Sequence, residues 1–480
     1  MSFRDNATRK VIPIVPAGAD EELISLYAAH EKIYPRSVSG FFSKWRWGMV
    51  LLTQLVFYGV PWIDWGQRQA VLFDLGARRF YIFGLVLYPQ DFIYLAGILV
   101  ISALALFLFT AVAGRLWCGY ACPQTVYTEI FLWIEKKIEG DRSARMRRDA
   151  QGLSADKVGR KTVKHLLWLT VALWTGFTFV GYFTPIKDLG LEVLHLNMGS
   201  WEVFWTLFYG FATYGNAGFM REQVCIHMCP YARFQSAMFD KDTLIVTYDA
   251  ERGEPRGARS RKADPTVLNL GACIDCTLCV QVCPTGIDIR NGLQYECIGC
   301  GACADVCDTV MDKMGYARGL VKYTTENAMK NKWTETQTWR HVFRPRILIY
   351  TSILAAIVIA MLVSLSMRTQ FKVNVVRDRS AMARVVAGGK TENVYQLQVM
   401  SATEATQRYQ ITVTGLPGLT VTSDSLVVVE STQARKLAVR VQAPFEVAAP
   451  GSHPIVFQIE SLDSPGHLSE KSVFLISKEG

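Results

Sequence analysis

The stretch Cys273-Ile-Asp-Cys276-Thr-Leu-Cys279-Val-Gln-Val-Cys283-Pro284 is echoed 24 residues later by Cys297-Ile-Gly-Cys300-Gly-Ala-Cys303-Ala-Asp-Val-Cys307-Asp308. Together the two runs hold eight of the chain's twelve cysteines. Four thiolates at this spacing are what a cubane iron–sulfur cluster needs, and in two-cluster ferredoxins the fourth cysteine of each run serves the other cluster. The spacing therefore assigns Cys273, Cys276, Cys279 and Cys307 to one [4Fe-4S] cluster, and Cys297, Cys300, Cys303 and Cys283 to a second. The alternatives are a disulfide-rich module or paired zinc sites. Zinc asks for two CxxC pairs across a longer spacer, and a third cysteine two residues further on is surplus to it. Interleaved ligands pin two clusters close together, so the chemistry expected is electron transfer.

Working outward, the rest of the chain is unusually apolar: 50% hydrophobic and only 19% charged over 480 residues. Five windows carry the excess: Trp47–Trp65, Phe92–Ala113, Leu166–Thr184, Trp201–Phe219 and Ile347–Ser366. Each has about the length needed to cross ~30 Å of hydrocarbon at 1.5 Å per residue. A buried core helix is the bland reading of any one window, fairest for the fourth, which holds Gly210, Tyr214, Gly215 and Asn216. Charge between the windows favours five spans of a multi-domain integral membrane protein. Lys136, Lys137, Arg142, Arg145, Arg147, Arg148, Lys157, Arg160, Lys161 and Lys164 crowd the loop after the second window, whereas the loop after the third carries only Lys187. Positive residues stay on the cytoplasmic side. The expected topology in a bacterial inner membrane thus has the N-terminus and 219–346 cytoplasmic and the C-terminus periplasmic. All twelve cysteines then fall on or facing the reducing side. The net charge of +9 is a topology signal, with attraction to anionic lipid as a by-product and no reason to invoke nucleic acid. With no cleavable leader apparent in residues 1–43, the first span is expected to act as a signal anchor.

The expected domains are a cytoplasmic arm (1–46) with a helix over Asp20–Tyr34, four spans (47–239), a cytoplasmic ferredoxin-like domain with a basic linker (240–346), a fifth span (347–366) and a periplasmic β domain (367–480). The apolar stretch Phe80–Tyr88 is too short to cross and is expected on or in the membrane interface. Glu129–Ile138 is the best helical segment of the basic loop, and Arg252–Lys262 suggests a flexible solvated connection. After Met367, alternating runs at Tyr395–Val399, Gln410–Val413, Leu426–Val429, Leu437–Val441 and Ile455–Ile459, separated by turn residues, predict about seven strands in an immunoglobulin-like β-sandwich. It has neither Cys nor Trp, so the immunoglobulin disulfide core is absent.

The remaining cysteines form two Cys-x3-Cys-Pro motifs, Cys118-Gly-Tyr-Ala-Cys122-Pro123 and Cys225-Ile-His227-Met228-Cys229-Pro230, each following an even-numbered window. Those windows run in one direction, so the motifs lie at one depth, each preceding a helix with proline at an early position. Thiols at helix starts are expected to have lowered pKa values. Three readings stay open: soft ligands for Cu(I), helped by His227 and Met228; a further redox centre or a dithiol–disulfide pair; or small buried residues that help helices pack. His165 and His195 suit interfacial polar residues better than haem ligands. The tryptophans at span ends suit an aromatic belt. Neither a GxGxxG fingerprint nor a phosphate-binding loop is present.

The order of spans, the two Cys-x3-Cys-Pro motifs in Trp117–Glu129 and Cys225–Phe239, the double run Cys273–Cys307, and stretches such as Arg78–Asp91 and Cys297–Lys313 resemble the FixG/CcoG/RdxA family over nearly the whole chain. These are bacterial accessory proteins for cbb3-type cytochrome c oxidase. One familiar ferredoxin feature is missing: Asp308 stands where proline often follows the fourth cysteine. The resemblance implies reduction of Cu(II) to Cu(I) for delivery to the oxidase, with oxidase subunits or copper-handling maturation proteins and a cytoplasmic electron donor as partners. Copper would then be held near Cys118, Cys122, Cys225 and Cys229. The competing functions are a quinol-linked membrane polyferredoxin feeding a periplasmic reductase, and a non-catalytic assembly scaffold.

Overall fold

The computed structural model describes residues 32–265, 267–378 and 383–476. Most of the expected Asp20–Tyr34 helix lies outside them, and residues 32–39 are irregular. Helix α1 (Phe41–Gly59) begins and ends six residues before the first apolar window. Its start is set from afar: the Asp305 carboxylate accepts from the backbone N–H of Phe42 (3.1 Å) and Ser43 (2.7 Å), satisfying amides that a helix start leaves bare. A 3-10 turn carrying Pro61 ends it.

The loop that follows folds into a small sheet. Strands Val71–Asp74, Arg79–Ile82 and Leu85–Leu87 form an antiparallel sheet whose Leu72, Tyr81, Val86 and Tyr88 pack with Met400 of the C-terminal domain. Tyr88 Oη donates to Ser401 O at 2.7 Å, and buried Asp91 pairs with Arg368 (2.6 Å) and Lys372. Within Phe80–Tyr88, Tyr81, Val86, Leu87 and Tyr88 are buried against protein, whereas Phe83 is exposed.

Helix α2 (Phe92–Ala113) ends at Gly114, whose φ of 54° suits glycine. The basic region is helical throughout: α3 (Leu116–Tyr120), α4 (Pro123–Glu139), α5 (Arg142–Ala150, N-cap Asp141) and the first turns of α6 (Ala155–Val180, N-cap Ser154). Thus α6 starts eleven residues before its apolar window, because its basic turns are helical too. A short helix α7 (Ile186–Leu194) precedes α8 (Ser200–Gly215). Helices α6 and α8 approach so closely that a Cβ on Gly176 would meet Thr206 O at 2.1 Å. The end of the fourth window unwinds into two π-helical turns, Asn216–Met220 and Val224–Met228, before α9 (Pro230–Met238). By length and composition, three helical runs suit a membrane crossing: Pro89–Ala113, Ala155–Val180 and Pro345–Ser366. The first and last pack together, with Gly97 against Met361 and Tyr94 bonded to Ser364.

Strand Ile245–Tyr248 pairs antiparallel with Val321–Thr324 and closes the cysteine-rich segment, whose longest helix is Ala302–Met314. Arg252–Lys262 is tied down rather than loose. Arg252 donates to Ala317 O and Arg318 O, and Arg259 to Gly271 O and Cys273 O, so carbonyls of the cysteine loops give these guanidiniums their partners.

The C-terminal residues form two antiparallel sheets. One orders the strands Thr420–Val421, Ala434–Pro444, Lys390–Ser401 and Phe371–Arg377; the other orders Leu426–Val429, Gln407–Thr414, Gly451–Ser461 and His467–Ile476. Registers such as Leu397↔Leu437 and Ile411↔Ile459 turn one face of each sheet inward, around fully buried Tyr395, Phe457 and Phe474. Each of the five alternating runs falls inside one of these strands.

Candidate metal centre

The eight cysteines of the double run line two adjoining cavities of about 20 Å³ each. Cys273, Cys276, Cys279 and Cys307 border the first, with Tyr248 and Arg290. Cys283, Cys297, Cys300 and Cys303 border the second, and Cys279 borders both. The fourth cysteine of each run thus stands among the first three of the other. We call the first cavity outer, because Cys276 is exposed, and the second inner, because none of its four cysteines is exposed. Left-handed Gly299 (φ 62°) and Gly301 (φ 72°) turn the inner loop tightly, and Gly299 N–H donates to Cys297 Sγ at 3.4 Å. Asp308, in the place often held by proline, accepts from Gly319 N–H at 2.8 Å and so anchors the strand that follows.

Burial, with neighbouring thiols adding to it, pushes Cys279, Cys297 and Cys307 up to about 12. Cys303 is raised well above its ordinary value for the same reasons. Such a group of thiols cannot ionise together without cationic compensation, and iron supplies it. Among the described residues no three His, Cys, Asp or Glu side chains converge as they would on one ion. Each cavity is bordered by the four thiols of one expected set, the number a cubane cluster takes. The donor set fits two [4Fe-4S] clusters, which supply one-electron chemistry when bound.

The two Cys-x3-Cys-Pro motifs come together. Cys122 and Cys229 are the residues before α4 and α9, and Pro123 and Pro230 take the first helical positions. Cys118, Cys122, Cys225 and Cys229 are close enough to act on one another's charge. For Cys118, Cys122 and Cys225 the expected lowering of the pKa is reversed. Burial pushes Cys118 up to about 12 and Cys225 to about 11, and it raises Cys122 even though the Gln124 and Thr125 amides favour its thiolate. Desolvation outweighs the helix start. His227 and Met228 are exposed. His165 instead joins an aromatic group, with Nδ1 2.9 Å from Tyr214 Oη.

This motif group rests directly on the inner loop. A Cβ on Gly119 would meet Gly299 O and Ile298 O at 2.9 Å, so glycine alone permits the approach. Tyr120 Oη donates to Cys300 O at 3.2 Å, and Cys118 packs in one apolar group with Cys300 and Cys303. Behind Cys118, fully buried Gln235 accepts from its thiol at 3.4 Å. The sequence reading missed Arg115, Tyr120, Gln235 and Tyr323, whose Oη donates to Gly299 O. Arg115 alone carried a signal, as a charge between an apolar window and a cysteine.

An ionic group aligns the two motifs. Glu135 of α4 pairs with Arg145 of α5 (2.5 Å), Arg221 between the π turns (2.7 Å) and Lys164 of α6 (3.8 Å), all buried. Gln124, the second residue of α4, donates to Asn216 O and Arg221 O at 2.9 Å each, holding the backbone where Arg221 takes a φ of 40°.

Comparison with known proteins agrees with this architecture. Residues 220–326 match a 4Fe-4S dicluster domain, residues 95–140 a 4Fe-4S binding domain, and residues 361–477 an IG-like fold at the C-terminus of FixG. The chain is 41% identical over 403 residues to Protein RdxB of Cereibacter sphaeroides, covering 82% of this chain and 84% of that one. It is 38% identical over 427 residues to the nitrogen fixation protein FixG of Rhizobium meliloti, covering 82% and 81%. A crystal structure of a FixG-related protein from Vibrio parahaemolyticus matches 23% of this chain and 99% of that chain, with 23% identity and a TM-score of 0.22. Through the RdxB and FixG identities and the two 4Fe-4S matches, the chain belongs to the FixG/RdxA/RdxB family of iron–sulfur electron-transfer proteins.

Proposed function

We propose that the chain takes electrons from a cytoplasmic donor into the cluster of the outer cavity, passes them to that of the inner cavity, and delivers them one at a time to Cu(II) held near Cys118, Cys122, Cys225 and Cys229. The Cu(I) so formed supplies assembly of a cbb3-type oxidase. The observation that carries this reading is the backbone contact between Gly119 and Ile298–Gly299, which sets four soft sulfur donors against the inner cavity. Thiolates favour Cu(I) over Cu(II), so the donor set itself pulls the acceptor towards its reduced state. The test is anaerobic: the protein is reduced, Cu(II) is added, and Cu(I) is followed with a chelator alongside electron paramagnetic resonance of the clusters. Loss of the reduced-cluster signal in step with Cu(I) is expected. A normal rate with Cys118, Cys122, Cys225 and Cys229 all replaced by Ser removes those thiols from the path, and isolated protein holding zinc or no sulfide removes the clusters.

We also place α1 and α8 in the membrane, making five crossings. Leu51, Leu52, Leu55 and Val56 on α1, and Trp201, Phe204, Phe208 and Phe211 on α8, are large, apolar and exposed, as lipid-facing residues are. The packing of the 64–91 loop on the C-terminal domain supports one side for both, opposite the basic helices and the clusters. That arrangement makes the β domain periplasmic and the cysteines cytoplasmic.

A further inference from the structure

Buried cations in this protein come with carboxylates. Arg46 has Glu129, Arg145 and Arg221 share Glu135, and Lys164 has Glu139. Arg115 is different. It is 6% exposed, its guanidinium donates only to the backbone carbonyls of Tyr295, Cys297 and Ala232, and its Nε has no partner among the described residues. A buried charge without a counter-charge is strongly destabilising. What surrounds this one is sulfur: its charge bears on Cys297 on one side and on Cys118 and Cys225 on the other. Left-handed Gly299 lies against its backbone, where a Cβ would stand 3.4 Å from Arg115 O.

We propose that Arg115 is the shared counter-charge of two thiolate sets, the inner cluster and the Cys118/Cys122/Cys225/Cys229 group, and so a positioning residue for transfer between them. The inference rests on the cluster reading above and adds an asymmetry to it. Positive charge beside the inner cluster stabilises its reduced, more negative state and raises its potential. Arg290 borders the outer cavity and its charge bears on Cys279, but Asp288 and Asp275 pair with it and offset that charge, as no carboxylate does for Arg115 among the described residues. In the step served, the inner cluster loses one electron and a cupric ion held by the four thiols gains it. No proton and no further reactant is involved.

The test is a redox titration of the full-length protein in detergent, followed by electron paramagnetic resonance. Cys300→Ser and Cys276→Ser identify the inner and outer signals by which one each removes. Arg115→Gln should lower the reduced-to-oxidised ratio of the inner cluster at least tenfold at a fixed applied potential, which is a 59 mV shift for one electron. The outer cluster should stay where it was, and Arg115→Lys should restore most of the difference. Equal shifts in both clusters, or none, overturn the proposal. If Arg115→Gln takes up no inner cluster, Arg115→Lys decides: retention of the cluster sustains a counter-charge, and its loss shows a role in shape alone. A wild-type protein without either signal would instead sink the cluster reading itself.

Discussion

Glu135 offers the sharpest test of how the two Cys-x3-Cys-Pro motifs are held in line. It is 2% exposed and receives three cations, so Glu135→Gln leaves Arg145, Arg221 and Lys164 buried with one charge too few. Breaking a buried pair by removing one partner costs about 3–5 kcal/mol. The amide still accepts a hydrogen bond, which places the expected loss near the lower figure, about 3 kcal/mol. For a helical unit of this size each kcal/mol lowers Tm by roughly 2–4 °C, so a fall of about 6–12 °C is expected by circular dichroism at pH 7. The pH dependence follows from the direction of the shift. Burial alone raises the Glu135 carboxyl, but Arg221, Arg145 and Lys164 outweigh it and hold the pKa below the ordinary carboxylate value. Its contribution is therefore fully present above the unfolded pKa of about 4.3 and lost as pH falls through the lower folded value. The gap between wild type and Glu135→Gln should be constant from pH 5 to 8 and close below about pH 4. An exposed pair is the control: Asp463→Asn at Arg408 should lower Tm far less, because solvent screens that pair. A Glu135→Gln penalty no larger than that control, or one undiminished in acid, refutes a buried ionic clamp.

Three further outcomes are expected. Asp91→Asn unpairs Arg368 and Lys372 and should speed hydrogen exchange across strands 71–87 while leaving iron content unchanged. Phe457→Ala, in the centre of the β-sandwich, should lower that domain's stability to urea by about 3–5 kcal/mol. Phe208→Lys, on the exposed face of α8, should impair membrane integration by about 2.5–3.5 kcal/mol in an insertion assay; no effect means that α8 does not cross.

What could be read in the sequence was what local spacing encodes. The cysteine pattern anticipates which thiols border which cavity, because interleaving follows from loop lengths of two and three residues. Alternation over Tyr395–Val399 and Ile455–Ile459 locates strands, because a half-buried strand has period two. Helix ends were not legible where the deciding partner is remote. Asp305, more than 260 residues away, starts α1, and Gln124 captures the carbonyls around which the fourth window turns π-helical. The packing of strands 71–87 on Met400 was not legible because an apolar run looks the same whether lipid or protein covers it. The expected thiolates at helix starts failed because a helix terminus is visible in sequence and burial is not.

The cysteine-rich segment is not an independent ferredoxin tethered to a membrane anchor. Its inner side is fused to the helix ends at four places: Asp305 on the start of α1, Gly301 under Phe42, Gln281 O accepting from Arg36 N–H at 2.8 Å, and Gly299 against Arg115 and Gly119. Its outer side, with Cys276, stays exposed. Electron transfer weakens steeply with separation, so this asymmetry fixes a direction on the proposed reading. On that reading a soluble donor docks at the exposed Cys276 side, and the inner cavity abuts Cys118. Two of the tightest contacts in this seam, at Gly119 and Gly301, exist because no side chain intervenes. Enlarging either residue forces the loops apart, and with them the two sets of sulfur between which an electron has to pass.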